Sequence, residues 1–170
     1  KFYVSDIKRL GIPEWALSDG PHGVRAEMNR HNWQYAGWKD DAVTCFPPGT
    51  AMAGTWNLDL TAQRGYVLGE EARFRKKDVL LGPGINIIRS PLCGRNFEYL
   101  SEDPFLISQL TVSYIKALQT KDVAASVKHF AANNQEDNRF VIDVTMSDRA
   151  LHEIYLPGFK AAVMDAKVLT

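Results

Sequence analysis

Short, β-prone apolar runs alternate in this chain with stretches of helical periodicity, an order that few architectures accommodate. The run at 123–127, Val-Ala-Ala-Ser-Val, passes directly into Lys128-His129-Phe130 and then into Asn133-Asn134-Gln135-Glu136. Residues 78–88 read as another buried strand, broken by Gly82-Pro83-Gly84. Helices are expected between such runs. Asn57 is a good N-cap with Asp59 in the first turn, and Leu60, Tyr66, Val67, Leu68 and Ala72 supply an apolar face running to Lys76 or Lys77. Asp103-Pro104 starts a second helix, with Phe105, Leu106, Leu110, Tyr114 and Leu118 on its buried face. Ser147 is placed to cap a third, which Pro157-Gly158 should kink or interrupt. Residues 46–56 read as a turn followed by a short buried strand of small residues, and residues 167–170 as the opening of a last strand.

This alternation predicts an α/β fold with a parallel sheet. A closed eightfold barrel takes about 250 residues. The 170 residues here match a partial (β/α)8 TIM-like barrel, roughly its first half to two-thirds. A parallel barrel lacking staves leaves edges and apolar faces open. Residues 1–170 are therefore expected to be one part of a larger domain, partnered by the remainder of their own polypeptide.

Charge and composition exclude several function classes. Twenty basic and 20 acidic residues cancel, which argues against a sequence-independent grip on nucleic acid and gives no polybasic membrane contact. No apolar run approaches the ~18 residues of a membrane span. Cys45 and Cys93 are too few for a disulfide scaffold and lack zinc-ligand spacing; they are expected as small buried or half-buried thiols, a single bridge between them being left open. No metal site or cofactor is expected. Gly82-Pro83-Gly84 is followed by no Lys-Ser/Thr and belongs to no dinucleotide fingerprint, so a nucleotide site is set aside.

Ligands of parallel α/β folds bind at the carboxyl ends of the strands. A charged pair at such a strand exit needs polar surroundings. Lys128 and His129 are accordingly read as lining a polar pocket, the alternative being a strand cap that reaches solvent. A short apolar piece ends in the turn signal Ser18-Asp19-Gly20-Pro21, with Gly20 and Gly23 allowing a bend or a close approach and Asp19 and Arg25 on either side of the bend; the alternative is a plain Asp-Gly turn with a solvated Arg25. Residues 29–41 form an aperiodic stretch with Trp33, Tyr35 and Trp38; such rings pin a loop to the body or stack on a sugar ring. Residues 89–104 form a long polar loop containing Arg89, Arg95, Glu98, Glu102 and Asp103.

Four motifs in order, Ser18-Asp19-Gly20-Pro21-His22-Gly23-Val24-Arg25, Ser90-Pro91-Leu92-Cys93-Gly94-Arg95-Asn96-Phe97-Glu98 with Ser101-Glu102-Asp103-Pro104, Lys128-His129-Phe130 with Asn133-Asn134-Gln135-Glu136, and Arg149-Ala150-Leu151-His152-Glu153-Ile154-Tyr155-Leu156-Pro157, closely resemble glycoside hydrolase family 3, its β-glucosidase and β-xylosidase branch best. The resemblance implies a barrel domain binding one sugar at the non-reducing end of an oligosaccharide or β-glycoside. It implies substrate-binding roles for Asp19, Arg25, Arg95, Lys128, His129 and Arg139. It also implies an exo-acting retaining β-glycosidase, a β-glucosidase foremost, in which one carboxylate attacks the anomeric carbon and another carboxyl protonates the leaving oxygen.

The family's nucleophile is an Asp in a Ser-Asp-Trp-type motif. Here Ser18-Asp19 is followed by Gly and Ser147-Asp148 by Arg, so no catalytic residue is assigned within the chain and the nucleophile is expected after Thr170, the acid/base Glu in a second domain. Glu98, Glu102 and Glu136 are expected to be structural, pairing with the loop's Arg residues. Ala131-Ala132-Asn133-Asn134 departs from the Pro-Gly-His-Gly loop of the N-acetylglucosaminidase branch, which speaks against that branch. The competing reading is a non-catalytic carbohydrate-binding remnant. The compartment is left open; the resemblance is compatible with an extracellular or periplasmic location.

Overall fold

A computed structural model describes residues 2–29 and 32–170; Arg30 and His31 of the aromatic stretch lie outside them. Four short strands, β1 (Tyr3–Val4), β2 (Trp15–Asp19), β3 (Val79–Leu81) and β4 (Ala124–Ala125), form one sheet in the order β1-β2-β3-β4. β2, β3 and β4 run parallel, pairing Leu17 with Val79 and Leu80 with Ala125. β1 runs antiparallel to β2, Tyr3 facing Ala16, which corrects the expectation of a wholly parallel sheet. Residues 5–14 turn through the 3-10 helix Lys8–Leu10 and the left-handed Gly11. That connection suits a hairpin and is too short for a crossover. Beyond β4, Thr170 donates its backbone N–H to Ala125 O at 3.3 Å, so the last residues approach the free edge without forming a strand.

The helices are α1 (Gly49–Ala53), α2 (Leu58–Phe74), α3 (Pro104–Gln119), α4 (Asp148–Ala150), which continues into a π turn at Leu151–Tyr155, and α5 (Pro157–Met164). Caps fall where local chemistry puts them. Asn57 Oδ1 accepts from Leu60 N at 2.9 Å, Asp103 Oδ1 from Phe105 N at 2.7 Å, and Ser147 Oγ from Ala150 N at 3.2 Å. Pro157 begins α5 at a position where its missing N–H costs nothing.

Three expectations fail locally. Residues 49–53 are helical instead of forming a strand: Pro48 supplies an extended N-cap and Ala and Met are good helix formers. Phe105 is 71% exposed, one position off the stripe Leu106, Ile107, Leu110, Thr111, Tyr114, Ile115 and Leu118 that α3 buries. α2 ends at Phe74, short of Lys76, and buries Thr61, Arg64, Gly65, Leu68, Gly69 and Ala72, while Leu60, Tyr66 and Val67 face outward.

The buried α2 stripe is small because α3 lies almost in backbone contact. A Cβ on Gly65 would stand 2.4 Å from Tyr114 O, and one on Gly69 2.7 Å from Leu118 O. Gly65→Ala is therefore expected to destabilise the protein by about 1–3 kcal/mol through overpacking, although alanine is the better helix former. Urea unfolding checks this; a rise in stability would show that the two helices can separate at no cost.

Behind the sheet, Leu68 and Ala72 of α2, Tyr114, Ile115 and Leu118 of α3, and Ala162 and Ala166 around α5 enclose Leu80, Val123 and Ala125. A second cluster, under the strand exits, gathers Met52, Ile85, Ile87, Leu100, Ile107, Leu110, Tyr155 and Phe159. The result is an open sector of an α/β barrel, with helices on one side of the sheet. The strand carboxyl ends lie together: Asp19 ends β2 beside Leu81, and Lys128 bridges Gly84 in parallel fashion. Among the described residues no helix is long and apolar enough to cross a membrane, and Cys45, exposed, and Cys93, buried, are both free thiols.

Candidate functional site

Chain topology brings residues from three distant segments to this rim. β2 delivers Asp19 at its last position. The extension of β4 delivers Lys128, whose N–H donates to Pro83 O at 3.1 Å and whose carbonyl accepts from Ile85 N at 2.6 Å. The 3-10 turn Asn96–Glu98 places Glu98 and Arg95 beneath them. The segment after Phe130 adds Asn133, Glu136 and Arg139.

Opposite charges then alternate across the rim. Lys128 Nζ lies 2.6 Å from Asp19 Oδ1 and 3.3 Å from Glu98 Oε2. Arg95 Nε bonds Glu98 Oε1, and Arg95 also faces Glu136 Oε1 at 3.8 Å. Glu136 Oε2 takes Arg139 at 2.7 Å. Glu98 is only 4% exposed and Arg139 the most open, its side chain 37% exposed. Buried charges persist when paired and hydrogen-bonded in this way. Glu102 is exposed.

His129 joins the set through hydrogen bonds whose direction can be worked out. Asn133 Nδ2 donates to Glu136 Oε1 at 2.8 Å, since a carboxylate only accepts. The same amide nitrogen donates to Tyr99 Oη at 3.0 Å. With its oxygen accepting from Asn133, the Tyr99 hydroxyl is assigned as donor to His129 Nδ1, 2.9 Å away. In that assignment Nδ1 is bare and the proton sits on Nε2. Burial, then Arg95 and Lys128, push the His129 pKa down to about 4, and burial raises that of Tyr99 to about 12. Both are neutral at physiological pH.

Because the folded-state pKa of His129 lies below its ordinary value near 6.5, the unfolded chain takes up its proton first as pH falls. His129 therefore contributes stability in full above about pH 6.5, and loses it as pH drops toward 4. The unfolding free energy of the wild type should decline relative to His129→Gln across that window. Parallel pH curves for the two would contradict the assignment.

Arg25 stands apart from the charge chain. Its N–H donates to Asp19 O at 2.9 Å and to Ser18 Oγ at 3.2 Å, and its guanidinium lies 5.6 Å from the Phe2 ring centroid. It shares with Asp19 an open cavity of about 450 Å³ whose walls include His22, Tyr35, Cys45 and Phe97. Lys128, His129, Arg95 and Arg139 do not line that cavity. Five of the six candidates are thus linked in one network, and Arg25 reaches it through the backbone of Asp19.

Sequence reading passed over Tyr99, Asn133 and Asn86. Asn86 is 1% exposed; its Oδ1 accepts from Asn133 N at 2.9 Å and its Nδ2 donates to Asn133 O at 3.1 Å. The signal was present: an amide inside the apolar run Ile85-Asn86-Ile87-Ile88 requires partners. The aromatic stretch forms a loop in which Trp33, Tyr35 and Trp38 are exposed, held by Asn29 N to Gln34 O at 2.8 Å and by Arg75 over the Trp38 ring.

Residues 33–170 match the family described as "Glycosyl hydrolase family 3 N terminal domain". A β-glucosidase of Bacteroides ovatus is 61% identical over 98% of this chain, and an exo-α-(1→6)-L-arabinopyranosidase of Bifidobacterium longum 42% identical over 99%. The solved structure of β-glucosidase 3B from Thermotoga neapolitana in complex with glucose superposes over 98% of the chain with a TM-score of 0.88 at 46% identity. The chain spans 22% of the length of those two curated relatives and 23% of the solved one.

Proposed function

Since the chain belongs to glycosyl hydrolase family 3, we propose that it is the N-terminal part of the barrel domain of an exo-acting retaining β-glycosidase, and that it supplies the glycone-binding half of the active site. The observation that carries this reading is the alternating charge chain Asp19, Lys128, Glu98, Arg95, Glu136 and Arg139 laid across the strand exits.

Sugar hydroxyls both donate and accept. Asp19 accepts from them. Lys128, Arg95 and Arg139 donate, and His129 Nε2–H is a further neutral donor. The network keeps each of these groups in one orientation before a ligand arrives, which is how charged sites discriminate between epimers. In this reading the nucleophilic Asp and the acid/base Glu lie outside the chain. Glu98 and Glu136 are committed to cations and serve as orienting groups. Glucose is the favoured glycone, supported by the 61% identity to a β-glucosidase and by the glucose complex of the solved neighbour.

The test is hydrolysis by the complete polypeptide of p-nitrophenyl β-glucoside, β-xyloside and α-L-arabinopyranoside, with the anomer of the first product followed by NMR. Release of the sugar with the anomeric configuration of its substrate, β from the glucoside and fastest there, is expected. Glucose binding without turnover of any substrate would instead favour a carbohydrate-binding role.

A further inference from the structure

Beneath the loops that carry Asp19 and Arg25 lies a cation that takes no part in the charge chain. Arg64 of α2 is 7% exposed. Among the described residues it has no carboxylate partner. Its Nη1 donates to Pro47 O at 2.7 Å and its Nη2 to Pro21 O at 2.5 Å, while Nε is buried without a partner. One planar fork thus joins two loops. The first contains the turn directly after Asp19. The second contains Phe46, whose N–H donates to His22 O at 2.6 Å and whose ring lies 5.5 Å from the guanidinium.

A buried, unpaired guanidinium is a poor choice for stability alone. Its desolvation is costly, and an apolar side chain of similar volume often does as well or better there. What the guanidinium offers is geometry. Its planar fork presents two N–H groups at a fixed spacing to two carbonyls; an ammonium on a flexible stem sets no such spacing, and a hydrocarbon donates nothing. The space around the first loop leaves little freedom otherwise. A Cβ on Gly20 would stand 2.5 Å from Gly23 O, and one on Gly23 2.0 Å from Thr44 O.

We propose that Arg64 is a positioning residue for sugar binding: it clamps the Pro21 and Pro47 carbonyls so that Asp19 and Arg25 are held at the rim. The inference rests on the glycosidase reading and extends it to a residue that touches no sugar.

The experiment compares Arg64→Lys and Arg64→Met with wild type in the complete polypeptide. It reads kcat and KM on p-nitrophenyl β-glucoside, inhibition by glucose, the unfolding midpoint, and hydrogen exchange at residues 20–26 and 45–48. For Arg64→Met, KM and the glucose inhibition constant should rise together by about ten- to a hundred-fold, the size of one or two lost charge-assisted hydrogen bonds. kcat should change less, and Arg64→Lys should recover only part of the loss. Unchanged KM and glucose inhibition in both variants, with or without a lower midpoint, would overturn the proposal. Should the Met variant not fold, the Lys variant carries the comparison. Hydrogen exchange separates this inference from the glycosidase reading. Faster exchange in both loops of Arg64→Lys, with a wild type inert on every glycoside, keeps the clamp and removes the glycosidase reading. Unchanged exchange removes the clamp.

Discussion

Lys128→Met is expected to lower kcat/KM on a β-glucoside by two to three orders of magnitude while the complete polypeptide still folds. The ammonium makes two charge-assisted contacts, to Asp19 at 2.6 Å and Glu98 at 3.3 Å, and in the proposed reading it is one of the donors to the sugar. Each such hydrogen bond contributes roughly 1.5–3 kcal/mol, and a loss of 1.4 kcal/mol is about a tenfold change in rate. Folding should tolerate the change because neither carboxylate is abandoned. Glu98 keeps Arg95, and Asp19, its side chain 33% exposed, keeps water and the Gly20 N–H at 3.1 Å. Steady-state kinetics together with circular dichroism decide it: near-normal turnover would remove Lys128 from the binding set.

Glu98→Gln should act on stability more than any other single change at the rim. Glu98 is the most deeply buried of the charged groups there and touches two cations. Neutralising it leaves Arg95 and Lys128 facing each other with Asp19 and the more distant Glu136 as remaining counter-charges. Breaking a buried pair in this way costs about 3–5 kcal/mol. The fitting control is Glu153→Gln. Glu153 pairs with Arg149 at 3.0 Å on an open surface, both side chains more than half exposed, so its loss should cost under ~1 kcal/mol. Urea unfolding of both variants gives the comparison, and equal losses would show that burial does not set the worth of the Glu98 contacts. A double-mutant cycle with Arg95→Met would isolate the Glu98–Arg95 coupling.

Much of the site was legible because it hangs on short-range signals. The strands are shorter than their apolar runs, but β2 ends at Asp19 and Lys128 extends the line of β4 as a parallel bridge to Gly84, so both fall at the same rim. The caps of α2, α3 and α4 are bonds between side chains and backbone two or three residues away, and such bonds are written in the local sequence. The resemblance implies that Glu98 and Glu136 pair with arginine of the 89–104 loop, and Arg95 does face both; the bond from Arg139 to Glu136 is an addition of the structure.

What escaped the sequence depends on surfaces that meet only in three dimensions. Leu60, Tyr66 and Val67 follow a helical period as well as the true buried stripe does. Gly65 and Gly69 won because the α3 backbone lies against them, and no local preference encodes a neighbour about 50 residues away. The hydroxyl of Tyr99 and the amides of Asn133 and Asn86 matter only through one another. Arg64 looks like any helical arginine until two carbonyls from separate loops are set before it.

The order of apolar runs and turn residues thus determined an α/β barrel sector and the strand-exit position of Lys128 and His129, because backbone geometry repeats over a few residues; the other pocket residues follow only from the family resemblance. Only the tertiary structure decided which helix face is buried, which carboxylate is shared by two cations and which arginine ties two loops. Those choices turn on distances between segments far apart in the chain, where desolvation and packing outweigh local propensity.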